Sequence, residues 1–271
     1  MLNLFKSRSF PFFFPIFIFV LFITTTAYTF SSEDFQDIRD EVKSHKELDP
    51  FFTEEYISEV KGLHECKNAD VDSSIKYVWV LAGRSSYLKE PVDGPDMKDL
   101  EDDYNRLELG IAVAREVVAK LSNKSMITDE DIQQYGPQII YNGRPKHNAD
   151  FIRALEKGLL TSYPANKFTI LDLDPKEWNS RGQFMSLKKE VPISDTSVAI
   201  VTHAYHFSRV ARMIDSQWRP FGPNTEVFFY LVDRELTAPG IKDDLIGEIK
   251  RIPIYTAKGD LTPQIPKQIH Y

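Results

Sequence analysis

In SVAIVTHAYHFSRVARMID, residues 197–215, Val198, Ala199, Ile200 and Val201 make an apolar run without alternation, closed by polar residues on both sides. That is the pattern of a strand covered on both faces of a parallel sheet. Thr202, His203, Tyr205, His206, Ser208, Arg209 and Arg212 follow at once, at spacings that begin a helix. In α/β proteins, ligands bind where a strand gives way to a helix at its carboxyl end. The placement therefore predicts an anion-binding or proton-transfer site here.

The same reading extends outward. KYVWVLA, residues 76–82, is a first strand ending in Gly83-Arg84-Ser85-Ser86. A helix over residues 100–121 carries Tyr104, Leu107, Ile111, Ala114, Val118 and Leu121 at spacings of three and four. QIIY, residues 138–141, is a second strand ending in the turn pair Asn142-Gly143, and Asn148 is placed to cap a helix over residues 149–160. A third strand is expected over residues 167–173 and a helix over 179–191. The strand of the opening stretch is then the fourth, with a helix running to about residue 218. Residues 225–232, TEVFFYLV, make the fifth strand, and a last helix covers 243–255. Regular alternation predicts an α/β fold, a Rossmann-like, doubly wound, mostly parallel sheet with helices on both faces.

Residues 1–30 differ in kind. Lys6 and Arg8 precede an apolar stretch with no further charge until Glu33. The uninterrupted core, residues 10–23, is shorter than the roughly 20 residues that span a bilayer, and Pro11 and Pro15 weaken a helix start there. A cleaved signal peptide is the leading expectation, with Thr25 and Ala27 as small residues before the cut. An uncleaved, tilted anchor is the alternative. Either places the domain outside the cytoplasm, in the periplasm or held at the inner membrane. Residues 31–75, charged and with a break at Asp49-Pro50, are expected to be one or two amphipathic helices capping a domain over 76–262, and 263–271 a tail.

The 271 residues carry a formal charge of −7, which argues against nucleic acid as a partner. Cys66 is the only cysteine, so an intramolecular disulfide and multi-cysteine zinc sites are excluded. No GxGxxG, GxxxxGK[ST] or GxSxG pattern occurs where it would matter, which disfavours classical dinucleotide binding, P-loop hydrolysis and an α/β-hydrolase nucleophile. His203 and His206 form HxxH, a weak metal signal without matching carboxylates, and no metal is expected.

Right-handed crossovers gather the loops after the first, second and fourth strands on one rim. Arg84 and Ser85, Asn142 and Arg144, and residues 202–209 meet there, with Asp102, Asp103 and Arg106 at the start of the first long helix. A cationic pocket in an acidic protein fits a phosphorylated ligand, because guanidinium forks match oxyanions. His206 is the candidate general acid or base and Arg209 the group that stabilises developing charge. His203 is the weaker candidate, since the pleat sends it to the face opposite Thr202. Arg212 is read as a surface charge or the partner of Asp215, and Asp103 with Arg106 as either an i, i+3 ion pair or ligand contacts.

With these residues in view, the chain resembles the ElyC/SanA/YdcF family of bacterial envelope proteins, a superfamily once known only as a domain of unknown function, and its YdcF-like branch. The resemblance covers about residues 76–260. It runs through Gly83, DYNRLELGIAVA (Asp103, Arg106, Leu107, Gly110), IIYNG (Asn142, Gly143), the helix opening at Asn179, and VTHAYHFSRV with Thr202, Tyr205, His206 and Arg209. EIKRIPIYTAKGDL is similar to the branch's closing helix. Two departures stand out: Arg84-Ser85-Ser86 replaces a glycine cluster, and Asn179-Ser180-Arg181-Gly182 replaces Asn-Thr-x-Glu, removing a carboxylate at Gly182. The resemblance implies an anionic ligand bound by these residues, membrane anchoring for many members, and a role in envelope polysaccharide or lipid-carrier metabolism. For one branch it also implies S-adenosylmethionine as the small molecule bound; the alternative reading of the pocket is a non-catalytic binding or sensor module for S-adenosylmethionine or a nucleotide.

Overall fold

A computed structural model describes residues 35–44, 46, 48–65, 70–83, 101–158, 162–174, 176–191, 193–217, 219–232, 241–265 and 269–270. The apolar segment over 1–30, Arg84 to Ser86 and Cys66 lie outside the described residues. Among those described, no helix is long and apolar enough to cross a membrane.

Helices α1 (Gln36–Ser44) and α2 (Pro50–Glu65) precede strand β1 (Ile75–Leu81), followed by α3 (Glu101–Ser122) and α4 (Asp129–Tyr135). Then come β2 (Gln138–Asn142), α5 (Pro145–Glu156), β3 (Phe168–Ile170), α6 (Ser180–Glu190), β4 (Ser197–His203) and α7 (Ala204–Ile214). β5 (Glu226–Val232), α8 (Ile241–Ala257) and β6 (Ile269–His270) complete the order. The six strands form one all-parallel sheet in the order β3-β2-β1-β4-β5-β6. This is the expected Rossmann-like α/β fold. The chain winds outward from β1 in one direction and from β4 in the other, so a crevice opens where they adjoin, at their carboxyl ends.

The pleat divides the core in two. On β4, Val198 and Ile200 point to a face covered by α1, α2, α6, α7 and α8, while Ala199 and Val201 point to the face covered by α3, α4 and α5. Both layers are apolar, which is why β4 shows no alternation. Phe35, just before α1, with Ile38, Val42, Tyr56 and Val60 from the first two helices, is part of the same core as Trp79 and Ile200, so the cap is integral to the domain. Tyr56 donates to the Tyr205 carbonyl at 2.6 Å, and Glu59 receives both Ser208, at 2.5 Å, and Arg212, at 2.7 Å.

Several expectations are corrected. Asn148 lies inside α5, which begins at Pro145, a residue suited to a first helical turn; its side chain accepts from Gly143 N and donates to the Leu171 carbonyl. The third strand is three residues long, with half-buried side chains at the rim of the core. The helix after β4 stops at Ile214. The tail supplies β6, and a short polar helix, α4, stands where none was expected, fixed by a capping box between Thr128 and Asp131. Arg212 is buried and pairs with Glu59, while Asp215 pairs with Arg219 at 2.6 Å.

Two helical glycines have opposite environments. A Cβ on Gly110 of α3 would sit 2.8 Å from Val80 Cγ2, so α3 lies against β1 only because that side chain is absent; a Cβ on Gly62 of α2 would meet nothing within 4 Å. Gly110→Val is expected to cost about 2 kcal/mol or more through overpacking, and Gly62→Ala to add about 0.5–1 kcal/mol. Urea denaturation of the two variants reads both signs.

Candidate functional site at the carboxyl ends of the strands

A cleft of about 170 Å³ opens at the crevice between β1 and β4. Gly83 follows β1, Gly143 and Arg144 follow β2, and Asn179, Ser180 and Gln183 come from the amino end of α6; Tyr205, His206 and Arg209 follow β4. Arg106 of α3 closes one side, and Asp244, Glu248, Arg251 and Tyr255 of α8 close another. Of the residues expected from sequence, Gly83, Arg106, Gly143, Asn179, Tyr205, His206 and Arg209 line this cleft together. Asp103, Asn142 and Thr202 lie beneath it, and Arg84 lies outside the described residues.

The residues beneath the cleft fasten the strand ends. Asp103 accepts from Gly83 N at 2.5 Å and from the Tyr141 hydroxyl at 2.6 Å. Burial, with Asp103 second, pushes the Tyr141 hydroxyl well above its ordinary pKa, so it remains the donor. A Cβ on Gly83 would sit 2.9 Å from Arg106 Nη1 and 3.0 Å from Asp103 Oδ1, so a side chain there would push against the buried pair. Asn142 is fully committed inside the protein: it accepts from Trp79 Nε1 at 2.9 Å and donates to the Gln183 carbonyl at 2.8 Å. Gln183 returns bonds to the Ala82 and Asn142 carbonyls. Asn142 thus holds α6 against β1 and β2 and does not reach the cleft.

Arg106 is 1% exposed, donating from Nε to His203 Nδ1 and from Nη1 to the Leu81 carbonyl, both at 2.7 Å, with Asp103 3.8 Å away. The ion-pair reading of Asp103 and Arg106 is therefore present in the fold, and Arg106 also lines the cleft. His203 faces the α3 side, as the pleat requires, and its Nδ1 is an acceptor, which places its proton on Nε2. Thr202 faces the other side, 3.1 Å from His206 Nδ1.

Arg209 differs from the sequence expectation of a guanidinium open to ligand. Nε and Nη2 fork onto the two oxygens of Glu248 at 2.6 and 2.8 Å, and Nη1 donates to Ser180 Oγ at 2.7 Å. Burial works against its charge, and Glu248 more than offsets this, so the Arg209 pKa is raised. Arg251 lies 3.3 Å from the same carboxylate. Arg144 is half-buried at the rim with its guanidinium 5.5 Å from the centre of the Trp178 ring. Four arginines against two carboxylates leave the lining cationic. The amino ends of α5, α6 and α7 also point at it, which adds partial positive charge.

The backbone at Gly182 leaves no room for a side chain. A Cβ there would lie 1.8 Å from the Glu177 carbonyl oxygen, because the backbone before α6 folds over its first turn. No side chain, and so no carboxylate, fits at that position. Sequence reasoning missed Glu248, Arg251, Asp244, Trp178, Tyr255, Ser180 and Gln183 as part of the site. A signal did exist in α8, where Asp244, Glu248 and Arg251 at spacings of four and three share one helix face.

Fold and cleft together define a Rossmann-like α/β domain with a cationic, hydrogen-bonded crevice at its topological switch point. Comparison of the chain with protein-family models, curated proteins and solved structures finds no match.

Burial first, then the Arg209 and Arg106 cations, with His203 and Arg251 after them, hold the His206 pKa well below 6.5. Burial also lowers that of His147, partly opposed by Asp103. Both histidines are neutral in the fold and take up protons near pH 6.5 once unfolded. Their contribution is therefore complete above pH 6.5 and is lost as pH falls toward the depressed folded values, by up to about 1.4 kcal/mol per pH unit for each. Melting temperatures from pH 7.5 down to 5.5 are expected to fall, with a shallower slope in His206→Gln. Arg209→Ala leaves Glu248 buried at 2% exposure and is expected to destabilise by about 3–5 kcal/mol, read by denaturant titration; Arg209→Met with Glu248→Met recovers much of the loss.

Proposed function

We propose that this chain is an exported cell-envelope protein, akin to the YdcF-like branch of the ElyC/SanA/YdcF family. Its cleft takes the phosphoryl group of a phosphorylated ligand, a polyprenyl phosphate, nucleotide or sugar phosphate, and acts on it in envelope polysaccharide or lipid-carrier metabolism. The observation that carries the ligand class is the cationic lining of the cleft, in a chain of charge −7, at a point where three helix amino ends converge. Phosphate oxygens match guanidinium forks and helix N–H groups better than any cation would. Export and envelope location rest on residues 1–30 and on the family resemblance.

A second reading has its own observation. Trp178 and Tyr255 line the cleft beside Asp244 and Glu248. Aromatic faces and carboxylates also suit the adenine and sulfonium of S-adenosylmethionine, bound by a non-catalytic sensor.

A thermal-shift series with nucleotides, sugar phosphates, a short polyprenyl phosphate and S-adenosylmethionine separates the two. The first reading expects phosphorylated compounds to raise the melting temperature, and Arg144→Ala to weaken their binding about tenfold or more while leaving the ligand-free midpoint nearly unchanged. A shift from S-adenosylmethionine alone favours the sensor. The absence of a shift from every compound overturns both.

A further inference from the structure

Ser180, the first residue of α6, stands at the junction of this cleft and an adjoining one of about 240 Å³ that it lines with Asn179 and Tyr255. Its hydroxyl lies 3.4 Å from His206 Nε2, and the other ring nitrogen of His206 lies 3.1 Å from Thr202 Oγ1. Arg209 Nη1 contacts the same Ser180 oxygen at 2.7 Å.

Chemistry fixes the direction of the Arg209 bond, and the tautomer of His206 sets the other two. A guanidinium only donates, so Ser180 Oγ accepts from Arg209 and its own hydrogen is available to the His206 ring nitrogen. In the tautomer with the His206 proton on Nδ1, Nε2 accepts from Ser180 and Thr202 Oγ1 receives the Nδ1–H bond. The order is hydroxyl, base, orienting group, which is the arrangement of an activated nucleophile. The 3.4 Å separation is within the looser range such pairs show before substrate tightens them.

We propose that Ser180 is a nucleophile, with His206 as its general base and Thr202 and Arg209 as positioning residues, and that it attacks the phosphorus of a phosphate ester. The choice of phosphorus as electrophile rests on the phosphorylated-ligand reading above; the dyad itself does not. His206 Nε2 takes the Ser180 proton as Oγ forms a bond to phosphorus. The bond from phosphorus to the leaving oxygen breaks, and that oxygen takes the proton back from His206. Water, deprotonated by the same nitrogen, then attacks phosphorus, the Ser180 bond breaks, and Oγ recovers its proton. Free phosphate or a phosphate monoester leaves, according to whether the ester was a monoester or a diester. The amino end of α6 and the Arg209 charge favour the negative charge that develops at Oγ and on the phosphoryl oxygens.

An alkyl fluorophosphonate tests the nucleophile without knowledge of the substrate. Oγ displaces fluoride, and the Ser180 proton passes through His206 to solvent. Intact mass and peptide mapping of the labelled full chain are expected to show one adduct, on the peptide holding Ser180. Ser180→Ala is expected to lose it, and His206→Gln to slow its formation by about 10²–10⁴-fold. Ser186→Ala, on the same helix but bonded to the Asp172 carbonyl, is expected to label at the parent rate. No adduct, an adduct elsewhere, or a rate unchanged in His206→Gln would overturn the proposal; mapping of the parent protein decides even where a variant fails to fold. An adduct at Ser180 without any thermal shift from phosphorylated compounds keeps the nucleophile and removes the phosphate ligand, and the converse result does the opposite.

Discussion

The buried pair Asp103 and Arg106, on the first turns of α3, has to be satisfied without water, and what satisfies it is the ends of the three central strands. Gly83 N after β1 and the Tyr141 hydroxyl on β2 bond to the carboxylate, while the Leu81 carbonyl and His203 at the end of β4 take the guanidinium. A buried charge stripped of such partners costs several kcal/mol, so these contacts fix where β1, β2 and β4 stop relative to one another. The cleft inherits its shape from that alignment. His206, one turn beyond His203, and Gly83 are held at opposite sides of one opening because α3 ties down both strands that lead to them.

A second constraint acts on the charge of the cleft. Glu248 occupies the fork of Arg209 and also draws Arg251, so the deepest cation is matched before any ligand arrives. That pairing lets a guanidinium remain charged at 8% exposure and leaves its third nitrogen for the Ser180 oxygen. The cationic surplus falls instead to Arg144 at the rim, whose hold on the protein is a ring face rather than a carboxylate. The site is thus graded from a locked interior to an adjustable edge, an arrangement suited to gripping an anion at the mouth while the reacting groups stay fixed.

Residues whose roles are set by local pattern were legible in the sequence. The apolar runs of β1, β2, β4 and β5, and the stripe from Leu107 to Val118, reveal the sheet and the helix packed on it. Thr202, His206 and Arg209 stand out because strand and helix spacing alone aims them at one point. β6 is not legible, since two residues become a strand only by pairing with Val227 and Phe228. α8 was visible as a helix, yet its place over the cleft depends on how it packs against α7, which no spacing within it reports. Asn142 shows the reverse error. It stands at a strand end, as its pattern indicates, but its side chain is held by Trp79 and the Gln183 carbonyl rather than offered to a ligand.

The strand order also governs how the chain reaches this state. β1 pairs with β2 on one edge and, on the other, with β4, far along the chain. Until β4 pairs, the innermost strand exposes a row of unpaired backbone groups flanked by Val78, Trp79 and Val80, the kind of edge that captures other chains. Such distant pairing slows folding. The walls of the cleft come from both halves of the sheet and from α8, so the site exists only where all three are in place. A partly folded molecule has no site at all, and ligand capture reports complete folding.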